Sequence, residues 1–87
     1  MLDPKGRVAM VSGASRGIGR RIAERLLASG HMVSAGLRTP SALPAHPNLH
    51  VHRYEATSTA DPAAWVAATV QRFGRIDALV NAAGISR

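Results

Sequence analysis

The sequence contains no cysteine, few aromatic residues and almost no lysine. Aromatic residues make up 3% of the chain, and of its eleven basic residues only Lys5 is a lysine. Without cysteine there can be no disulfide, no thiolate metal site and no cysteine nucleophile, which favours a reducing, cytoplasmic location. Acidic residues are also scarce, with five against eleven basic ones and a formal net charge of +6. Such an excess of positive charge is typical of proteins that bind nucleic acid or another ligand that carries phosphate.

Long hydrophobic segments are absent as well. The longest uninterrupted apolar run, from Ala63 to Ala68, is far shorter than the roughly 18 residues that cross a bilayer. Residues 1–5 lack the apolar core of a signal peptide. With 87 residues, 46% of them hydrophobic, the chain is expected to form one small domain over residues 1–87 without a membrane partner.

Four apolar segments and two amphipathic segments predict an alternating order of strands and helices. Strands are predicted at residues 7–12, 31–37, 49–55 and 76–81, and helices at residues 17–29 and 61–73. Three prolines within residues 39–48 predict an irregular crossover between the second and third strands. This alternation is typical of an α/β fold with a parallel sheet and right-handed crossovers.

Each predicted helix has an apolar stripe and a glycine at its end. In the first helix, Ile18, Ile22 and Leu26 recur every four residues, and Gly30 follows the last turn.

The second helix is predicted to begin with Asp61 as its N-cap and Pro62 as its first helical residue, and to end at Gly74. Its inner stripe is predicted to contain the residues at i, i+4 and i+7: Val66, Val70 and Phe73. Trp65 is interpreted as a packing or partner contact.

A glycine-rich segment from Ser12 to Gly19, Ser-Gly-Ala-Ser-Arg-Gly-Ile-Gly, connects the first predicted strand to the first predicted helix. Glycine permits a tight turn at positive φ and a close approach of the backbone, and the helix N-terminus offers free N–H groups to an anion. A P-loop would need a lysine at the helix start, and none is present. The segment therefore predicts a dinucleotide phosphate site; the alternative is a turn that only reverses the chain.

Together with a second motif, Phe-Gly-Arg-Ile-Asp-Ala-Leu-Val-Asn-Ala-Ala-Gly at residues 73–84, this segment resembles the N-terminal part of a short-chain dehydrogenase/reductase. The resemblance covers essentially the whole chain and implies a partial Rossmann fold with strand order 3-2-1-4. It departs from the family pattern at Ser12, where threonine is usual, at Ala82, where a second asparagine is common, and at Glu55, where aspartate is usual.

The resemblance also implies which residues contact a nicotinamide dinucleotide. The cofactor phosphates would be lined by Gly13, Ser15, Ile18 and Gly19, and Arg16 and Gly17 of the same turn would also belong to the cofactor site. The adenine would lie near Glu55 and Ala56, and the nicotinamide-side ribose beside Asn81, Ala82, Ala83 and Gly84. Asn81 has an alternative role in stabilising the sheet, and Glu55 an alternative as a solvated charge. Asp77 is expected to be structural.

The end of the second strand predicts NADP rather than NAD. NAD-binding proteins of this fold place an acidic residue there for the ribose 2′-hydroxyl, whereas NADP-binding proteins need positive charge. Leu37 occupies the position of the acid, Arg38 follows it, and Arg16 precedes Gly17 in the glycine-rich segment. The alternative is that both arginines are solvated surface charges.

The family's catalytic residues, a serine and a Tyr-x-x-x-Lys pair, are not found in these 87 residues. The single tyrosine, Tyr54, is followed four residues later by Ser58, and the single lysine lies far upstream. No catalytic residue is assigned, and the segment alone is expected to be inactive. The complete family member would transfer hydride between NADP(H) and a carbonyl or alcohol, and is expected to be a homo-oligomer. The alternative is a stand-alone nucleotide-binding or partner-binding module without catalysis.

Neither a metal ion nor nucleic acid is an expected ligand, and the isolated chain has one predicted physical property. The histidines form no ligand triad, so no metal site is expected. The arginines of the first helix lack the aromatic platforms of nucleic-acid binders, so no nucleic acid partner is expected. The fourth strand, with its apolar residues 78–80, would be an unpaired edge, so we expect the isolated chain to aggregate or to be partly disordered.

Overall fold

A four-stranded parallel sheet organises the computed structural model, which describes residues 6–14, 17–38, 43–55 and 61–82. The elements are β1 (Val8–Ser12), α1 (Gly17–Ala28), β2 (Met32–Leu37), β3 (Leu49–Arg53), α2 (Ala63–Phe73) and β4 (Ala78–Asn81). The strand order is β3-β2-β1-β4 and all neighbours are parallel. This confirms the predicted α/β fold and strand order. β3 starts at the predicted residue, and the other three strands start one or two residues later than predicted.

The sheet face covered by α1 carries the apolar core. Alternate residues of β1 and β2 pack there with Ala23 of α1, in a buried cluster that contains Val11, Ala14, Ala23, Val33, Ala35 and Leu37. Ile22 and Leu26 of the predicted stripe are half-buried against this core. Ile18 was predicted to belong to the same stripe but is exposed. Its position in the first turn places it at the end of the helix, where the core no longer covers it.

The opposite sheet face is covered by α2, and here two of the three residues predicted for the inner stripe are wrong. Val66 and Val70 are exposed, at 38% and 45%, and Phe73 is half-buried, whereas Trp65 and Thr69 are buried at 2% and 0%. The helix is therefore rotated by one residue relative to the prediction. The burial of Trp65 confirms that it is a packing residue.

A closed set of hydrogen bonds accounts for this rotation. The indole Nε1 of Trp65 donates to Ser34 Oγ at 2.9 Å, Ser34 Oγ and Thr69 Oγ1 are 2.6 Å apart, and Thr69 Oγ1 donates to the Trp65 carbonyl at 2.8 Å. Because the single hydroxyl hydrogen of Thr69 goes to that carbonyl, Ser34 must be the donor to Thr69. Each of the three polar groups is satisfied away from water, which burial would otherwise penalise.

Space for the indole ring comes from Gly36 of β2. A Cβ at Gly36 would lie 2.9 Å from ring atoms of Trp65, closer than neighbouring carbons approach. On another side the ring stacks against Tyr54, with centroids 4.8 Å apart. The small residue on β2 and the large residue on α2 are thus complementary in shape.

The helix ends differ from the prediction at one position. The N-cap of α2 is Pro62, not Asp61, and the Asp61 carboxylate accepts a hydrogen bond from the Ala63 N–H at 3.0 Å. Aspartate therefore still satisfies a free amide of the first turn, from one residue further out. The predicted stop at Gly74 is confirmed by a 2.7 Å bond from its N–H to the Val70 carbonyl.

The end of α1 is likewise confirmed at Gly30. Its N–H donates to the Leu27 carbonyl, and the His31 N–H donates to the Leu26 carbonyl. These two bonds form a Schellman motif, which satisfies carbonyls that the helix itself leaves free. Neither described helix is long and apolar enough to cross a membrane.

Asp77 attaches β4 to β1 at the amino end of the sheet. Its carboxylate accepts hydrogen bonds from Arg75 Nη2 at 2.6 Å and from the Val8 N–H at 2.8 Å, and its own N–H donates to the Val8 carbonyl. The bond from Arg75, followed by that from Val8, lowers the pKa of Asp77 below its ordinary 3.8. The predicted structural role is supported by these contacts.

Candidate functional site

The candidate site lies at the carboxyl edge of the sheet, which we define as the edge where all four strands end. The glycine-rich turn after β1 reaches it first. Gly13 and Gly17 have φ values of 69° and 64°, a left-handed conformation that other residues adopt only with strain. Both glycines are therefore required by the path of the backbone into α1.

Gly19 is required for a different reason, close approach. A Cβ at this position would overlap the carbonyl oxygen of Gly13 and come within 3.1 Å of the Ala82 side chain. The first turn of α1 consequently packs directly on the turn after β1 and on the residue after β4. Any side chain at position 19 would push the helix start away from the sheet.

The start of α1 is electrostatically prepared for an anion. Its first turn contains no acidic residue that would neutralise the helix dipole. The first N–H groups of a helix have no partner within the helix, and Gly17 and Ile18 in this turn are exposed. This combination of free donors and positive potential is what a phosphate group binds.

Asn81 connects the ends of β1 and β4. Its Oδ1 accepts a hydrogen bond from the buried Ser12 Oγ at 2.8 Å, and the following Ala82 N–H donates to the Ser12 carbonyl at 3.2 Å. Of the two roles considered for Asn81, these contacts support stabilisation of the sheet. They leave its amide group at the carboxyl edge.

The ends of β2 and β3 bring together two residues of opposite charge. Arg38 Nε and Glu55 Oε1 are 3.3 Å apart, with the side chains 79% and 63% exposed. Leu37, at the position of the expected acid, is buried in the α1 core, and its side chain has no polar atom. Sequence reasoning placed Arg38 and Glu55 in the same site but missed their pairing. The parallel register that joins Leu37 to Arg53 is the signal that could have revealed it.

Other predicted site residues lie outside the described part of the chain. These are Ser15, Arg16, Ala56, Ala83 and Gly84. The structure does bring together, along one edge of the sheet, the described members of the set: Gly13, Gly17, Ile18, Gly19, Arg38, Glu55, Asn81 and Ala82.

The described residues contain no group of three or more histidine, cysteine, aspartate or glutamate side chains that could hold a metal ion. His50 and His52 share the α2 face of β3, with ring centroids 6.4 Å apart. Burial, then the charges of Arg72 and His52, lower the pKa of His50 below its ordinary 6.5. The ring of His50 meets that of Phe73 edge to face.

Known proteins with similar sequences are oxidoreductases by name. The sequence profile of the short chain dehydrogenase family matches residues 7–87. Agropine synthesis reductase from Rhizobium rhizogenes is 46% identical over 82 residues, which cover 88% of this chain and 19% of that protein. The 2-(R)-hydroxypropyl-CoM dehydrogenase of Xanthobacter autotrophicus is 40% identical over 89 residues, covering 92% of this chain and 36% of that protein.

Solved structures give the same result for the fold. The 3-ketoacyl-(acyl-carrier-protein) reductase of Brucella melitensis, complexed with NADH, has a TM-score of 0.78 at 27% identity, covering 87% of this chain and 34% of that one. A metagenomic short-chain oxidoreductase in complex with NADP has a TM-score of 0.72 at 33% identity, covering 86% and 38%. The chain therefore spans well under half the length of the proteins it resembles.

Proposed function

Because the chain belongs to the short-chain dehydrogenase/reductase family and matches the N-terminal segment of its members, we propose that it binds a nicotinamide dinucleotide at the carboxyl edge of its sheet. It would form the cofactor-binding half of an oxidoreductase. When bound, such a cofactor exchanges a hydride with a carbonyl or alcohol carbon.

One observation carries the proposal: the turn of Gly13 and Gly17 meets an α1 N-terminus that has no acidic residue in its first turn. The close contact of Gly19 with Gly13 holds that helix start against the sheet. A pyrophosphate would accept hydrogen bonds from the backbone amides there. Ser15 and Ile18 would line the same phosphates.

Arg38 carries the preference for NADP over NAD. Its guanidinium is exposed at the end of β2, and the buried Leu37 provides no acceptor for a ribose 2′-hydroxyl. A charge-assisted bond from Arg38 to the 2′-phosphate would favour NADP, and Arg16 would add a second positive charge.

The remaining contacts follow the order of the strands. Glu55 and Ala56, after β3, would lie near the adenine. Asn81 to Gly84, after β4, would pass the nicotinamide-side ribose, and the Asn81 amide N–H group would be the donor to it because Ser12 holds the amide oxygen. The 87 residues contain no Tyr-x-x-x-Lys pair, so we expect them to bind the cofactor without transferring hydride.

Titration of the protein with NADP and NAD, followed through the fluorescence of its single tryptophan, tests the proposal. NADP should bind more tightly, and Arg38→Gln should weaken NADP binding by roughly tenfold or more while leaving NAD binding nearly unchanged. Arg25→Gln, which removes the same charge from the far end of α1, serves as the control. Equal affinities for the two dinucleotides, or tighter binding of NAD, would contradict the preference.

A further inference from the structure

We propose that Glu55 sets the degree of cofactor selectivity by competing with the 2′-phosphate for Arg38. The inference rests on the proposed function, because it assumes that Arg38 contacts the 2′-phosphate. It assigns Glu55 a role beyond the adenine contact, in which its negative charge limits how strongly the site prefers a phosphorylated ribose.

The ion pair is a product of the strand register. Leu37 and Arg53 are partners in the parallel pairing of β2 and β3, and the Tyr54 N–H donates to the Leu37 carbonyl at 2.9 Å. The residues that follow, Arg38 and Glu55, are thereby held at neighbouring strand ends. At these positions Arg38 Nε and Glu55 Oε1 lie 3.3 Å apart.

The solvent exposure of Arg38 and Glu55 determines whether their ion pair affects folding stability or ligand binding. Both side chains are more than half exposed, so water and salt screen the pair and it adds little to folding stability. The main effect of the ion pair is on the affinity of Arg38 for a bound ligand. The Glu55 carboxylate lies against Nε of the guanidinium. In the proposed complex the terminal nitrogens, the remaining donors of this group, would hold the 2′-phosphate.

A 2′-phosphate bound to those nitrogens would lie close to the Glu55 carboxylate. Two anions that share one cation repel each other, so the carboxylate raises the free energy of the phosphate complex. A neutral 2′-hydroxyl experiences no comparable repulsion. Glu55 therefore reduces affinity for the phosphorylated ligand selectively.

Two nucleotides isolate this effect: 5′-AMP and adenosine 2′,5′-bisphosphate, which differ only in the 2′-phosphate. Glu55→Gln keeps the size and the acceptor oxygen but removes the charge. We expect it to raise the ratio of bisphosphate affinity to 5′-AMP affinity by about threefold to tenfold, a ratio in which any change at the shared adenine contact cancels. Tryptophan fluorescence in dilute protein measures both affinities.

Glu24→Gln is the matched control. Glu24 on α1 also pairs with an arginine, Arg20, through Nε and at the same distance of 3.3 Å. Both substitutions raise the net charge equally, so a general electrostatic effect would appear in both. If Glu24→Gln increases bisphosphate affinity as much as Glu55→Gln does, the inference is wrong.

A double-mutant cycle with Arg38→Gln tests the route through Arg38. With Arg38 replaced, Glu55→Gln should alter the ratio of the two affinities by less than about twofold. If Arg38→Gln weakens bisphosphate binding but Glu55→Gln leaves the ratio unchanged or shifts both ligands equally, this inference fails alone. If Arg38→Gln has no effect on the bisphosphate, or neither nucleotide binds, the proposed function fails and the inference fails with it.

Discussion

Thr69 is a polar residue on the buried face of a helix, and its hydroxyl has two hydrogen-bond partners in the interior. It accepts from Ser34 and donates to the Trp65 carbonyl. Because all three groups are shielded from water, the loss of one partner leaves another unsatisfied. At the scale of single residues, the packing of α2 therefore depends on hydroxyl chemistry as well as on apolar area.

Thr69→Val should destabilise the protein by about 1–3 kcal/mol although it preserves the shape of the side chain, since it leaves the Ser34 hydroxyl without an acceptor. Thr69→Ser retains the hydroxyl, loses one methyl group and should cost only about 1 kcal/mol. Urea denaturation followed by tryptophan fluorescence in dilute protein gives both values. A valine variant as stable as the unaltered protein would show that the hydrogen bonds contribute nothing.

At the scale of elements, β3 and α2 meet through a histidine. His50 packs edge to face against Phe73 of α2, and its Nε2 is buried with no hydrogen-bond partner among the described residues. Burial disfavours the charged ring, and Arg72 and His52 add repulsion, which together lower its pKa. The interface of β3 and α2 is therefore built for a neutral His50.

The stability of the protein should consequently fall as the pH drops below the ordinary histidine pKa of 6.5. In the unfolded chain His50 takes up a proton near that pH, whereas in the folded protein it resists until lower pH, so acid favours unfolding. Above pH 6.5 His50 no longer contributes to the pH dependence of stability, because it is neutral in the folded and the unfolded protein.

His50→Gln should flatten the pH dependence of the urea midpoint below pH 6.5 relative to the unaltered protein. His46→Gln, an exposed residue of the crossover, is the control and should keep the original slope. An unchanged slope in His50→Gln would rule out His50 as its source.

The order and type of the elements could be read from the sequence because apolar runs and terminal glycines are local signals. The side of α2 that packs against the sheet could not be predicted from such local signals. Periodicity favoured Val66 and Val70, whereas the bonds of Trp65 and Thr69 to Ser34 join residues more than thirty positions apart. Long-range polar partners of this kind have no local pattern.

The candidate site was predictable to a similar extent. Gly13, Gly17 and Gly19 follow from the demands of a tight turn at a helix start, and the structure shows those demands in their φ values and contacts. The pairing of Arg38 with Glu55 depends on the register of β2 and β3, which the alternation of residues in β3 does not determine alone.

At the scale of the whole molecule, the sheet ends in an apolar edge. β4 pairs only with β1 in the described sheet, and Leu79 in its middle is 65% exposed. An unpaired strand with an apolar surface is a template for association with other chains. The exposed edge of β4 is therefore the part of the structure from which we expect the isolated chain to aggregate.

Leu79→Lys should reduce that association, so that roughly severalfold more protein remains monomeric at a given concentration. Gln71→Lys adds the same charge to an exposed position of α2 without changing the edge, and should have a much smaller effect. Sedimentation and light scattering distinguish the two. An unaltered chain that is a monodisperse monomer with cooperative unfolding would contradict the prediction.

The contact between Gly36 and Trp65 also limits how this sequence can diverge. A side chain at position 36 requires a smaller ring at position 65, and a smaller ring without an N–H would leave Ser34 without its indole donor. Positions 34, 36 and 65 are therefore expected to change in compensating sets. A substitution that is harmful at one of them becomes acceptable only after another has already changed.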